Sequence, residues 1–177
     1  MPIAAIQPGF PDPEEYPAFV AGDIALTEGV THPVVQMEQQ CAAFAGWCEG
    51  LDPALRSHRY EAGKWSIQQM LGHIIDTERV FAYRALRIAR GDESLSPPFE
   101  RDDWVAAAAH DSTSWENLVE EFRHVRASTV LLLRHLPADA WLRSGQVSGG
   151  TITVRALVHA ILGHLEHHRN ILRDRYL

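Results

Sequence analysis

Apolar residues recur at helical spacing along most of the chain, and this periodicity limits the fold more than any other feature. In the segment after Pro33 they lie three or four residues apart, at Val34, Met37, Cys41, Phe44, Cys48 and Leu51. Positions at this spacing share one face of a helix, so the segment predicts a first long helix. No stretch shows a convincing strand pattern.

A second long helix is predicted from its start and stop signals. Ser66 and Gln69 match a capping box, in which each side chain bonds the other residue's backbone N–H. We expect this helix to run to about Arg90 and to end at Gly91. The segment GDESLSPPFERDDW, rich in Pro, Ser and Asp, then predicts a loop, with a short helix beginning at Asp102 or Asp103.

A third long helix is predicted to open near residues 112–114, where Thr113 and Glu116 could form another capping box. Pro137 stops it at His135 or Leu136, because the residue before a proline disfavours helical geometry.

A fourth long helix follows a Gly-Gly turn and reaches nearly to residue 177, with Thr151 or Thr153 as its N-cap. Four such helices predict an all-α fold, a four-helix bundle over residues 34–177. Prolines at positions 2, 8, 11, 13 and 17 exclude a long helix from the beginning of the chain, so residues 1–33 are predicted to form an extended Pro-rich arm.

Composition excludes some partners. The net charge of −7 argues against nucleic acid, whose phosphates require clustered Lys and Arg. The chain has no signal-peptide pattern and no run of about 18 apolar residues, so we expect a cytoplasmic protein with no membrane partner. Cys41 and Cys48 would lie roughly 10 Å apart on a helix, beyond the roughly 7 Å limit for a disulfide, which predicts two reduced thiols.

Histidines on the fourth helix divide between its two faces. A helical wheel places His164 and His168 in the apolar stripe with Leu157, Ile161 and Ile171. His159 falls on the opposite, solvated face, and His167 lies at the boundary. Two imidazoles four residues apart can reach one metal ion, although buried histidines satisfied by hydrogen bonds are an equally good explanation.

A metal site would need a third ligand from another element. His73, on the second helix, borders the apolar stripe of Met70, Ile74, Phe81 and Ile88 and could point into the bundle. The remaining histidines are expected to be structural or solvated: His32, His58, His110, His124 and His135.

The segments GKWSIQQMLGHIIDTERVF, FERDDWV and LVHAILGHLEHHRNIL, in this order and spacing, resemble the DinB/YfiT-like superfamily of bacterial metal-binding four-helix bundles. The resemblance covers roughly residues 34–177 and leaves the arm unmatched. It implies a divalent metal bound by one His of the second helix and two of the last, here His73, His164 and His168. It also implies a homodimer, since relatives are often dimers.

Three imidazoles leave coordination positions open, which favours chemistry over a closed structural site. Zinc or nickel is the expected metal, and iron or copper also suits such ligands. Glu78 could orient an imidazole, pair with an Arg or bond a Trp N–H; Asp76 and Glu166 are weaker candidates for the orienting role. Trp65 and Tyr60 could form a wall of the pocket.

Three functions are compatible with these residues. The resemblance implies a thiol S-transferase, which adds a low-molecular-weight thiol such as bacillithiol or mycothiol to a small-molecule electrophile. The first alternative is a metal-dependent hydrolase, which would need a general base beside the metal, and Glu78 is the one candidate. The second is a non-catalytic, stress-related metal-binding bundle, with His167 or an arm residue as fourth ligand.

Overall fold

The computed structural model describes residues 8–177, so the predictions for residues 1–7 lie outside the described chain. The described part contains six α-helices and a two-stranded hairpin: α1 (Ala18–Ala25), α2 (Pro33–Gly50), α3 (Ile67–Ala89), α4 (Arg101–Ala107), α5 (Trp115–Arg134), β1 (Ser144–Val147), β2 (Gly150–Thr153) and α6 (Val154–Ile171). Helices α2, α3, α5 and α6 are the four predicted long helices, and they form the predicted four-helix bundle.

The bundle has a simple neighbour pattern, in which α3 and α2 each pack against both α5 and α6. Two clusters of buried apolar side chains fill it. One contains Ile24 and Trp141, and the other contains Phe44 and Phe122. None of the helices in the part of the chain described is long and apolar enough to cross a membrane.

The capping box of α3 is confirmed. Ser66 Oγ accepts a hydrogen bond from the Gln69 backbone at 3.0 Å, and Gln69 Oε1 accepts one from the Ser66 backbone at 3.1 Å. The helix ends at Ala89, and Gly91 follows with a φ of 78°, a left-handed conformation that favours glycine. The capping box at Ser66 fixes where the helix that carries His73 begins.

The N-cap of α5 was predicted at the wrong residue. Ser114 caps the helix by accepting a hydrogen bond from the Asn117 backbone at 3.1 Å, whereas the Thr113 hydroxyl donates to the Ala109 carbonyl at 3.0 Å. For α6, Thr153 is the cap, accepting from the Ala156 backbone at 3.2 Å. Helix α4 begins one residue before the first predicted position.

The sequence also showed no sign of the short hairpin in this helical fold, in which β1 and β2 pair antiparallel ahead of α6. Ser148 and Gly149 form the turn, and Gly149 and the first residue of β2, Gly150, have φ values of 96° and 144°. Each strand has only four residues, which is too short for a period of two to stand out in the sequence.

The arm was predicted as extended, but it contains α1. Pro17 is the N-cap of this helix, so the prolines end where the helix begins, and Val20 and Ile24 are buried. Helix α1 packs along α6. The prolines therefore limit how long a helix can be in this segment, but they do not exclude a short one.

The arm covers the N-terminal part of the α6 face that the helical wheel assigned to solvent. Arg155 forms an ion pair with Glu15 and donates to the Pro8 carbonyl at 2.9 Å. His159 is fully buried, and its Nδ1 lies 2.7 Å from Thr27 Oγ1. The prediction of a solvated His159 was wrong because the wheel cannot show which other segment of the chain covers that face.

Burial of His159 makes stability depend on pH. Burial lowers the pKa of its imidazole from 6.5 to about 4, so the unfolded chain takes up a proton before the folded one does. We expect the free energy of unfolding to fall as the pH drops from 6.5 toward 4, by up to about 3 kcal/mol from this group. Denaturant titrations at pH 7 and pH 5 measure the loss, and it should be smaller in His159→Leu. Equal losses in the two proteins would contradict the assignment.

Close contact between α1 and α6 depends on Gly163. A side chain here would collide with the Asp23 carbonyl, whereas a side chain at Gly46, an exposed position of α2, would meet nothing within 4 Å. We therefore expect Gly163→Ala to destabilise the protein by about 1–3 kcal/mol. The matched Gly46→Ala should stabilise it by up to about 1 kcal/mol. Urea unfolding of both variants checks the contrast, and equal shifts would show that α1 does not pack as described.

The two cysteines are free, as predicted. Cys48 is buried in the bundle, and burial raises the pKa of its thiol to about 12. Its thiol is therefore protonated at neutral pH, consistent with a packing role.

Candidate metal centre

Two adjacent helices bring the three predicted ligands together. His73 lies in the second turn of α3, and His164 and His168 lie one turn apart on α6. His164 Nε2 is 3.2 Å from His73 Nε2 and 3.1 Å from His168 Nε2. These residues form the three-histidine cluster, in which one ligand atom from each lies within 4.8 Å of the others. It is the one such cluster that residues 8–177 contain.

The convergence of the nitrogens fits a metal better than it fits hydrogen bonds. A neutral imidazole nitrogen either donates one proton or accepts with one lone pair, so His164 Nε2 cannot pair fully with both neighbours. A tetrahedral metal with nitrogen bonds of about 2.0–2.1 Å holds its ligands roughly 3.3 Å apart, close to the observed separations. The residues present therefore fit a divalent ion, and the ligand role of the three histidines stays a prediction.

Burial and nearby positive charge keep the three imidazoles of the cluster uncharged. Burial, together with the positive charge of Arg101, lowers the pKa of His73 to about 4. Burial and the neighbouring imidazoles lower the pKa values of His164 and His168 well below 6.5. At neutral pH all three rings are uncharged, and the neutral imidazole is the form that binds a metal.

Few side chains of residues 8–177 contact the Nδ1 atoms of the imidazoles, which are not the atoms that converge in the cluster. The ring centroid of Trp65 lies 4.7 Å from that of His73, and the Thr77 hydroxyl lies 3.5 Å from His73 Nδ1, at the limit of a hydrogen bond. His168 Nδ1 is buried with no hydrogen-bond partner in the described chain. Metal-bound histidines commonly donate their other N–H, so Thr77 is the best candidate for this role at His73.

Glu78 serves the bundle rather than the cluster. Both of its carboxylate oxygens accept from Arg126 Nε at 2.9 Å, and the two side chains are almost fully buried. Pairing with an Arg was one of the three roles that the sequence allowed for Glu78. The other two carboxylates considered are also paired elsewhere: Asp76 contacts Arg79 and His110, each at 3.5 Å, and Glu166 contacts Arg169 at 2.9 Å.

Two cavities border the three-histidine cluster, each at different members of it. The smaller cavity, about 310 Å³, is lined by His73 and His164 together with Phe19, Phe81, Arg84 and Phe99. The larger cavity, about 790 Å³, is lined by His168 together with Tyr60, Lys64, Trp65 and Tyr176. Arg101 lines both cavities. Tyr60 and Trp65 are thus in the wall where the sequence suggested them.

The other histidines lie outside the cluster. His167 is exposed, with its ring 5.1 Å from that of His168, and it lines the larger cavity. The histidines expected to be structural or solvated sit at helix ends, in turns or on the α5 surface: His32, His58, His110, His124 and His135.

Four charged residues of the smaller cavity were not singled out as site residues from the sequence: Asp23, Arg84, Glu100 and Arg101. Asp23 enters from α1, Arg101 from α4, and Arg84 lies on α3 on the same face as His73. The shared face of Arg84 and His73 was visible in the sequence as a spacing of 11 residues. The positions of Asp23 and Arg101 depend on how α1 and α4 pack, which no local pattern shows.

The fold and the site together define a four-helix bundle with a three-histidine cluster between two of its helices. The chain belongs to the DinB superfamily, whose family model matches residues 36–172. This confirms the resemblance drawn from the sequence. A comparison with curated proteins found no match.

Two solved structures share the fold. YfiT from Bacillus subtilis, described as "a probable metal-dependent hydrolase with an unusual four-helix bundle topology", matches with a TM-score of 0.70 and 16% identity over 96% of each chain. The mycothiol-dependent maleylpyruvate isomerase matches with a TM-score of 0.64 and 14% identity. That match covers 77% of this chain and 57% of the isomerase, so this chain corresponds to just over half of that enzyme.

Proposed function

We propose that this protein is a divalent-metal-dependent thiol S-transferase, in which a low-molecular-weight thiol such as bacillithiol or mycothiol is added to a small electrophile. The observation that carries the proposal is the pair of cavities at the three-histidine cluster. A transferase brings two reactants to one centre, whereas a hydrolase needs room for one substrate and water. The mycothiol dependence of the isomerase with the same fold supports the same reading.

His73, His164 and His168 would hold the ion, for which zinc or nickel is expected and iron also suits the ligands. When bound, the metal supplies Lewis-acid chemistry that lowers the pKa of a thiol or water at its open positions. The chain itself keeps the three rings neutral by burial, and aromatic side chains line both cavities. Thr77 helps to fix the ring orientation of His73.

Metal-loaded protein should accelerate the reaction of bacillithiol or mycothiol with an electrophile such as 1-chloro-2,4-dinitrobenzene, measured as loss of free thiol. The matched control is His168→Ala treated with the same metal, which should show only the uncatalysed rate. Cobalt-substituted protein gives a second readout, because a thiolate bound to cobalt adds a charge-transfer band in the near ultraviolet. Neither a rate nor a band with any thiol would contradict the proposal.

A metal-dependent hydrolase is the second candidate, and Asp23 is the observation that favours it. This carboxyl lines the smaller cavity beside the cluster, and burial raises its pKa. Glu78 is excluded as the general base by its buried pairing with Arg126. Hydrolysis of p-nitrophenyl acetate that depends on metal and is lost in Asp23→Asn, with no thiol transfer, would favour the hydrolase.

We also propose a homodimer, as the family resemblance implies. Light scattering on the purified protein measures the mass in solution. A mass equal to that of the monomer would contradict this proposal and leave the metal centre unaffected, because all three candidate ligands come from one chain.

A further inference from the structure

Arg84 is a buried cation without a carboxylate partner in the described chain. Its side chain lines the smaller cavity, and the residue is only 4% exposed. Its Nη2 donates to the Pro97 carbonyl at 2.7 Å, and this is the one hydrogen bond that its side chain makes to residues 8–177. The rings of Phe81 and Phe99 lie 5.9 Å from the guanidinium carbon.

The second buried arginine of the bundle shows how the chain treats such a charge when its role is structural. Arg126 bonds both oxygens of Glu78, and its Nη1 bonds the Gln40 side chain at 3.0 Å. A buried charge is costly unless it is paired, and a single neutral carbonyl does not compensate a guanidinium. Arg84 thus lacks the counter-charge that Arg126 has, and it faces a cavity that could admit one.

We infer that the smaller cavity binds a small organic acid as the electrophilic substrate, with Arg84 as the residue that binds its carboxylate. This inference rests on the proposed function, because it names the class of substrate that the same centre receives. The planar guanidinium can bond both carboxylate oxygens at once, a geometry that lysine cannot offer.

The position of Arg84 also limits the shape of the acid. Arg84 and His73 are 11 residues apart on one face of α3, which is roughly 16 Å of helix rise. A long helical side chain leans toward the helix N-terminus, so the guanidinium reaches back toward the cluster. This reach is shorter than the separation along the helix, so the carboxylate would still bind away from the three-histidine cluster, at the far end of an extended molecule whose apolar body packs on Phe19, Phe81 and Phe99.

Other charges of the smaller cavity narrow the binding position further. Asp23 and Glu100 also line it and repel an anion, whereas Arg101 attracts one at the border with the larger cavity. The cavity thus offers an acid one buried cationic group, Arg84, and one exposed cationic group, Arg101. The buried group is the one screened from solvent, so the carboxylate is expected at Arg84.

Isothermal titration of full-length protein tests the inference with matched probes: 3-phenylpropionate, 4-phenylbutyrate and hexanoate, each against its amide. Titrations are made with metal-loaded and chelator-treated protein. We expect wild type to bind at least one acid about tenfold or more tightly than its amide, with or without metal. Arg84→Met should lose this preference, and Arg84→Lys should keep part of it. Arg79→Met, which removes an exposed arginine of the same helix, should behave as wild type.

Several outcomes would overturn the inference. One is that the wild-type protein binds no acid more tightly than its amide. Another is that Arg84→Met keeps the wild-type preference for the acid. A preference that needs the metal and ignores Arg84 would show that the carboxylate binds at the cluster, which leaves the proposed function intact. Conversely, preserved acid binding without thiol transfer would overturn the proposed function and leave Arg84 as an acid-binding residue.

Discussion

His73→Ala and His168→Ala are each expected to lose nearly all bound metal under loading that gives the wild type about one equivalent. Removing one imidazole leaves two nitrogens, and the lost affinity should exceed the 10- to 100-fold that loss of an orienting hydrogen bond costs. Mass spectrometry of metal content on untagged protein measures the difference. Purification without a histidine tag is needed because the tag would bind the same metals.

His124→Ala is the matched control, because His124 is exposed on α5 and distant in sequence from all three ligands. It should bind as much metal as wild type. His167→Ala tests whether this exposed neighbour is a fourth ligand, and we expect little loss, since His167 is outside the three-histidine cluster. Full retention of metal in both His73→Ala and His168→Ala would refute the site.

Glu78→Gln should produce the largest loss of stability of any polar substitution proposed for this chain. It leaves the Arg126 guanidinium buried without a counter-charge, a change that costs about 3–5 kcal/mol. Arg126→Met should cost a similar amount because it strands the carboxylate. Guanidinium chloride unfolding measures both, and the metal content of each folded variant should remain near that of wild type, because Glu78 makes no hydrogen bond to an imidazole in the described chain.

The double variant Glu78→Leu/Arg126→Met separates the cost of an unpaired charge from the value of the pair. Replacing both members by apolar groups of similar volume is often neutral or stabilising. We expect the double variant to be more stable than either single one. A double variant whose loss equals the sum of the two single losses would show that the pair is not coupled as the structure indicates.

The candidate site was accessible to sequence reasoning where it depends on one helix. His164 and His168 share an apolar face, and that follows from helical periodicity alone. His73 was a candidate from its own helix, where it borders the apolar stripe, but only the resemblance placed that helix beside the last one. The pairing of α3 with α6, which brings the nitrogens within about 3.2 Å, is a tertiary property.

Sequence reasoning failed where a second segment changes the environment of a helix face. His159 was assigned to solvent because it lies among charged neighbours on the wheel, and it is buried because the arm binds there. For Arg84, helical spacing shows only that it shares a face of α3 with His73. Its isolation from carboxylates depends on the loop that carries Pro97 and Phe99, which has no helical or strand period.

The arm also determines where this domain can safely be cut. Expression of residues 36–172, the span of the family match, would remove Glu15, the partner of Arg155, and Thr27, the partner of His159. It would also remove Phe19 and Asp23 from the wall of the smaller cavity. Such a fragment would expose a face of α6 that the arm covers and would change the entrance to the cluster, so a failure to bind metal or thiol would say nothing about the intact chain.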